Sequence, residues 1–387
     1  MTVSDAMLDE WKLIWHHKFY SFALIIPIIF TLYFGFIYSH EKIEHVPIRY
    51  LDEDRSQISQ QIIQAFAASE SFQVVGAAYS EQELLDDVAY GRVSMALIIP
   101  PDLSETIKEG KQGKFLAVVD GSNLSIANVA LTNASIIAKT FSVGISMKRV
   151  EAKGLADSSV ESIRYGYRLL FNPGMSYLYF VPLGVLGVLL QNAALTAIAL
   201  WMVREKTIGR WKSYFRYWRT PWKVFYARSF PYFLIIMLAV VCTTGILKNV
   251  FHIPFIGDVS LLFLLSATFI ASVMGVASLV ALFIDKLARV LQMVMLTSLP
   301  SFVLSGYSFP HMFMPDWVAA LSKLLPVSHF LHGLTEIAIK GNGWDQIAAD
   351  MASLAAIFLV TALASMTVFS IQGRKQMMGQ TASERGK

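Results

Sequence analysis

Cysteine is almost missing from this sequence. The 387 residues contain one, Cys242, inside an apolar run, so no disulfide framework can be drawn and redox chemistry is not indicated. Charge is scarce as well: 16% of residues are Asp, Glu, Lys or Arg, against 55% hydrophobic. That balance takes the chain out of the soluble range and into the membrane class. No GxxxxGK(S/T) phosphate loop is present. The look-alike GKQGKF around Lys111 has the wrong spacing, so a nucleotide would have to be hydrolysed elsewhere. No nucleophile arrangement stands out, and Asp52, Glu53 and Asp54 read as a turn and a helix start rather than a catalytic pair. His329 and His332, with His311 nearby, stand three apart without a clear carboxylate partner in sequence. They read as satisfied or interfacial histidines, and no metal site is expected.

What the sequence does have is long apolar runs. A bilayer core takes about 20 apolar residues per helix, and six stretches qualify: Phe19 to Tyr38, Tyr177 to Val203, Ser229 to Phe251, Val259 to Ile284, Val290 to Phe309, and Ile347 to Ile371. The first is too long for a signal-peptide core and follows an acidic leader, so it reads as an uncleaved anchor. Between the second and third lie Arg204, Lys206, Arg210, Lys212, Arg216, Arg219 and Lys223 against the single acid Glu205. Basic loops stay in the cytoplasm. The same rule puts the Asp285–Arg289 turn and a tail with Arg374, Lys375, Arg385 and Lys387 inside. The expectation is a multi-pass inner-membrane protein with both termini cytoplasmic. The net charge of +4 is then topological, and no nucleic-acid partner is implied.

The expected divisions are a cytoplasmic interfacial helix at 1–18, the first transmembrane helix at 19–38, an extracytoplasmic α/β domain with a helical stalk at 39–176, a five-helix transmembrane domain at 177–371 and a cytoplasmic tail at 372–387. The leader places Val3, Met7, Trp11 and Trp15 at near-helical spacing, suited to lying along the inner face or to extending the first span. From about 40 to 170 the pattern alternates. VPIRYLDED, FQVVGAAY, RVSMALIIPP and FLAVVDG read as strands, and ISQQIIQAFAAS, SEQELLDDVAYG and LSETIKEG as helices. This predicts a largely parallel or mixed sheet covered by helices. Leu124 to Lys153 reads as a helical stalk. The fold class is thus a polytopic α-helical membrane protein of six transmembrane helices, with an extracytoplasmic α/β domain between the first and second.

Within the spans, Thr268, Ala271, Gly275 and Ser278 form a small-residue stripe that permits close helix approach. Gln191 and Asn192, costly in lipid, are candidates to face protein or a polar path. Ser301 and Ser305, beside Pro300 and Gly306, are candidates for the same path at a kink. Trp211 to Trp218 mixes bases and aromatics and reads as an interfacial belt against membrane lipid.

Several passages resemble one family. YLDEDRSQIS and GRVSMALIIPPDLSETIKEGK followed by VVDGSN, VREKTIGRW with the later ARSFPYFLI, and LSGYSFPHMFMPDWVAALSKLLPVSHFLHGLTEIAIKGNG are similar, in that order, to the type-2 ABC exporter permeases of bacteria. The resemblance covers nearly the whole chain. It implies a permease that pairs with a second copy or a paralogue, binds no cofactor itself, and relies on a cytoplasmic ABC ATPase subunit that holds ATP and Mg. It implies that Arg204, Glu205, Lys206 and Gly209 form the segment that couples to the ATPase. Where that family continues with a small hydroxyl residue and an acid, this chain has Arg210, Trp211 and Lys212, which implies a dedicated ATPase with an acidic cleft. A periplasmic adaptor is a further candidate partner. The apolar interior favours a hydrophobic or amphipathic cargo (drug, lipid or natural product) over an ion. The competing readings are a non-transporting receptor or scaffold, and a channel, for which the charged rings are missing.

Overall fold

The computed structural model describes residues 3–385 apart from 17, 40–42, 110, 123, 153–170, 173–175, 212–213 and 215–220. The chain divides into two compact units, Lys42–Arg168 and the remainder, Met1–Glu41 with Leu169–Lys387.

The inserted unit is the α/β module. Its strands are β1 (Val46–Asp52), β2 (Phe72–Ala77), β3 (Met95–Ile99) and β4 (Leu116–Val119), in the order β2-β1-β3-β4. β1 runs parallel to β2 and β3, and β4 closes the edge antiparallel to β3. Parallel neighbours need helical crossovers. These are α3 (Gln57–Ala67) and α4 (Glu81–Ala89), with the short α5 (Leu103–Lys108) leading to the edge strand. Helix starts are marked by Ser56, whose side chain forms a capping box with Ser59, and by Ser80, which accepts from the Glu83 amide. One sheet face buries Val46, Ile48, Met95, Leu97 and Ile99 with Ile62 and Phe66 of α3. The other buries Leu51 and Ala96 with Leu84 of α4. Beside that second core, the buried Asp87 is clasped by Arg49 and by Arg92 at 2.9 Å.

The stalk α6 (Leu124–Ala152) is long and apolar enough, over Ile126–Gly144, to cross a membrane. It packs on the sheet domain, where Ala130 and Ala134 are buried in the core. Its small residues let it lie close on the module.

The other unit is the helical bundle. α1 (Val3–His16) precedes α2 (Lys18–Ile37), the first span. The others are α7 (Val181–Thr207), α8 (Pro221–Asn249), α9 (Val259–Ala281), α10 (Leu287–Leu304) and α13 (Trp344–Arg385). Between α10 and α13 lie the short α11 (Asp316–Ser322) and α12 (Pro326–Ala338). α7 is buried almost all round and packs on α2, α8, α9, α10 and α12, as expected of an apolar helix lacking a polar face. α8 begins eight residues before the run that hydropathy marks, which takes Arg228 inside the helix. The small-residue stripe of α9 is an internal packing face: a Cβ on Gly275 would stand 2.3 Å from the Thr361 hydroxyl of α13.

Candidate coupling site and transport path

α7 ends where the backbone must turn. Gly209 adopts φ +72°, a left-handed conformation that side chains with a Cβ rarely tolerate, and its amide bonds to the Lys206 carbonyl at 3.2 Å. At this turn Thr207, Ile208 and Arg210 are exposed. Lys206 reaches across to Asp285 at 2.5 Å and to the Leu282 carbonyl at 3.3 Å, tying this turn to the one between α9 and α10. The hydrogen bond from Lys206 holds the Asp285 carboxyl below the usual carboxylate range.

The four residues expected at the coupling turn divide. Lys206 and Gly209 lie at the turn itself, whereas Glu205 is 0% exposed and faces inward. Its carboxylate accepts from the Tyr214 hydroxyl and from Arg210 Nη1 at 3.2 Å. Arg228 of α8 stands 4.0 Å from it, and the same Nη1 donates to Glu10 of α1 at 2.9 Å. The Tyr232 hydroxyl also donates to Glu10 at 2.9 Å. One buried guanidinium thus lies between two buried carboxylates that come from α1 and α7. Burial, followed by repulsion from Glu205, pushes Glu10 above the ordinary carboxylate range, although Arg228 and Tyr232 oppose the shift. Arg204 lies one residue before Glu205 and is half-buried.

This cluster changes the reading of two segments. In α1 the face that packs on the bundle is Ala6, Glu10 and Ile14, at a spacing of four, while Leu8 and Trp11 stay exposed. In the aromatic and basic stretch after the turn, Trp211 and Tyr214 are not lipid-facing. Trp211 packs edge-on against Phe369, with ring centroids 5.0 Å apart, and Tyr214 is consumed by Glu205. Tyr214 turns inward because an unpaired buried carboxylate is costly, and Trp211 because its ring finds an aromatic partner in the bundle. The rest of the stretch, Lys212, Ser213 and Phe215–Trp218, lies outside the described residues, as do the side chains of Arg374, Lys375, Arg385 and Lys387.

The four residues expected along a path do not form one line. Gln191 and Ser301 are buried in the bundle. Asn192 donates to the Ser298 hydroxyl at 2.6 Å and lines a cavity of about 400 Å³ among Phe30, Leu189, Thr196, Leu291 and Met295. The Asn192 carbonyl oxygen has no partner there. Ser305 lies instead at the far end of α7, where it lines a recess of about 550 Å³ with Tyr307, His329 and Asp350. Asp350 is the carboxylate that sequence proximity could not supply: it meets His329 Nδ1 at 3.0 Å and His332 Nδ1 at 2.6 Å. Those bonds to Asp350 raise both imidazoles above the ordinary histidine range, against the opposing effect of burial. Among the described residues no group of three or more His, Cys, Asp or Glu could hold a metal ion. Glu10, Arg228 and Asp350 were all missed as site residues; an ionisable group within or beside an apolar run was the only available signal.

An apolar bundle of long helices, an α/β module inserted after its first span and a glycine-ended basic turn define a polytopic membrane protein. Residues 17–367 match the family described as "ABC-2 family transporter protein", and the chain belongs to that family. Membership implies a cognate ATPase partner. Over 354 residues the chain is 22% identical to the "Probable multidrug ABC transporter permease YbhR" of Escherichia coli (strain K12), covering 92% of this chain and 93% of that one. It is 22% identical over 324 residues to the "Probable multidrug ABC transporter permease YbhS" of the same organism, with 83% of each chain covered. It is 24% identical over 329 residues to the "Inner membrane transport permease YhhJ", again of that strain, covering 82% and 84%.

Proposed function

We propose that this chain is one of two permease subunits of an exporter that moves a hydrophobic or amphipathic molecule, of the multidrug kind named for the YbhR and YbhS relatives, out of the cytoplasm or inner leaflet. Both termini and the Arg204–Gly209 turn lie in the cytoplasm. Six spans bring the two ends to one side, and the basic loop after α7 gives the sign. The second subunit is another copy or a paralogue, and a separate ATPase docks beneath the pair. The observation that carries the reading is the turn. Gly209 holds a sharp backbone reversal, Ile208 and Arg210 are presented outward, and Glu205 behind them is locked to α1 and α8 through Arg228. A push on such a turn passes directly into three helices. The cargo enters through the cavity lined by Asn192, whose unpaired amide oxygen offers an acceptor in an otherwise apolar wall. Arg210, exposed at the turn, meets the acidic cleft of the ATPase, and a periplasmic adaptor receives the product.

Native mass spectrometry of the tagged protein, released gently from its own host, tests the assembly. Two permease-sized chains with two ATPases are expected. A stable particle without any ATPase, reproduced across mild detergents, would favour a receptor or scaffold. Replacing Gly209 by Val forces a β-branched residue into the left-handed region. Export is expected to fall at least about tenfold, a barrier increase of about 1.4 kcal/mol, while membrane insertion is spared; unchanged export would remove this turn from the mechanism.

A further inference from the structure

The recess at the end of the bundle opposite the coupling turn is absorbed by none of the roles above. Its apolar wall is Phe180 stacked on Tyr307, with ring centroids 4.6 Å apart, together with Leu331 and Ile339. The Tyr307 hydroxyl is already spent on the Phe180 carbonyl at 2.7 Å. The polar wall comes from α12, the α11–α12 connection and the first turns of α13. There Ser328 is 5% exposed, and its hydroxyl is buried without a hydrogen-bond partner. An orphaned hydroxyl costs about 1–3 kcal/mol, and Ser328 is one of the residues that line the recess.

The charge of the wall follows from hydrogen-bond geometry. His329 Nδ1 faces the Asp350 carboxylate at 3.0 Å, and its Nε2 faces the Lys323 carbonyl at 2.9 Å. Both partners accept when Asp350 is ionised, an arrangement that favours hydrogens on both ring nitrogens and so the cationic ring. His332 spends Nδ1 on the same carboxylate, while its Nε2 stands 3.7 Å from Glu336. Glu336 is itself saturated by Lys340 at 2.5 Å and Asn342 at 2.6 Å. The remaining titratable groups on the wall are Lys323, which is exposed, the two tyrosines Tyr179 and Tyr307, and His311, held by the Ser322 hydroxyl at 3.0 Å. With His332 protonated, the wall sets His329, His332, Lys323 and Lys340 against only Asp350 and Glu336.

We infer that this recess binds an amphiphile with an anionic headgroup, a phosphate or a carboxylate: the headgroup contacts Ser328, His332 and Lys323, and the apolar portion lies along Phe180, Tyr307 and Leu331. Ser328 donates to the anion, Lys323 and His332 supply charge, and the aromatic pair shields the chain from water. The site needs neither ATP nor transport, so its fate is separate from that of the export reading.

The full-length chain, purified in a mild nonionic detergent without an ATPase, is titrated with dihexanoyl phosphatidylglycerol, dihexanoyl phosphatidylcholine, dodecanoate and inorganic phosphate. Native mass spectrometry and the melting temperature report binding. Saturable binding of an anionic amphiphile at least about tenfold tighter than phosphatidylcholine is expected, with phosphate alone much weaker. Preference for phosphatidylglycerol assigns the site to a phospholipid headgroup, and preference for dodecanoate assigns it to a carboxylate amphiphile. Lys323→Gln, at an exposed position, is expected to weaken binding about threefold to tenfold. Ser328→Ala is expected to weaken binding while the ligand-free protein melts no lower, because an unpaired hydroxyl is removed. Equal binding of the anionic and zwitterionic lipids, no saturable binding, or undiminished binding by both variants would overturn the proposal.

Discussion

Each end of the helical bundle carries a cluster of charged groups, and the two are built on different chemistry. At the coupling end the cation is Arg228, 5% exposed, between Glu10 and Glu205, both 0% exposed. At the other end the cations are His329 and His332, sharing the Asp350 carboxylate, with 58% of the His332 side chain exposed. A guanidinium is charged at every accessible pH and presents a fork of donors, so the first cluster is a permanent joint. Imidazoles can lose their charge within the accessible pH range, so the second cluster ties α12 to α13 more strongly while the rings are protonated. The difference shows how one apolar scaffold can carry a buried arginine–carboxylate joint at one end and a partly exposed histidine–carboxylate cluster at the other.

The largest expected effect separates the clusters at once. Arg228→Met leaves two buried carboxylates without their shared cation, at a cost of about 3–5 kcal/mol. Folded, monodisperse protein is expected to fall steeply in fluorescence-detected size-exclusion chromatography. Adding Glu10→Gln to Arg228→Met is expected to recover part of that loss. If the single variant behaves like wild type, the joint does not hold the bundle.

A middle-sized effect tests the other end. The folded-state pKa values of His329 and His332 are raised by Asp350. The stability they contribute is therefore fully present below the unfolded value of about 6.5 and is lost as pH rises through the folded values. Melting temperature is expected to decline across that window in wild type and to lose this component of the decline in Asp350→Asn. The variant itself is less stable at pH 6 by about 1–3 kcal/mol. A pH profile of the same slope in both proteins would remove the histidine cluster as a titrating element.

The smallest stability effect lies on the exposed surface of the coupling end. Lys206→Ala breaks the ion pair with Asp285, whose side chain is 68% exposed, and such pairs contribute about 0–1 kcal/mol. Melting temperature is expected to move by a degree or two at most, while ATP-driven export falls severalfold because two turns are no longer tied. A variant with unchanged export would make the Lys206–Asp285 pair a bystander.

Much of this architecture was legible in the sequence, for a physical reason. A span needs only a run of apolar residues, and a strand or helix of the inserted module needs only a period of two or 3.6, so β1 to β4 and α3 to α5 could be read locally. Apolarity alone misleads at α6, which is long and hydrophobic enough for a span yet buries Ala130 and Ala134 against the sheet. The segment ending at Gly209 was legible through the family resemblance, and its φ of +72° is a backbone angle that glycine adopts freely. The candidate path was only partly readable. Gln191 and Asn192 are neighbours in sequence, but one is buried in the bundle and the other opens on a cavity.

The sequence by itself determined the count and order of apolar helices, the inserted α/β module, the basic turn and the lack of a phosphate loop. Each depends on residues close together in the chain. Only the tertiary structure decided that Glu205 faces inward, that Trp211 and Tyr214 leave the lipid surface, and that Arg228 meets Glu10 across 218 positions. It also decided that Asp350 joins two histidines 18 and 21 residues before it. Burying a charge is costly unless a partner is found, and the partner is chosen by which helices pack together, a property that no local pattern records.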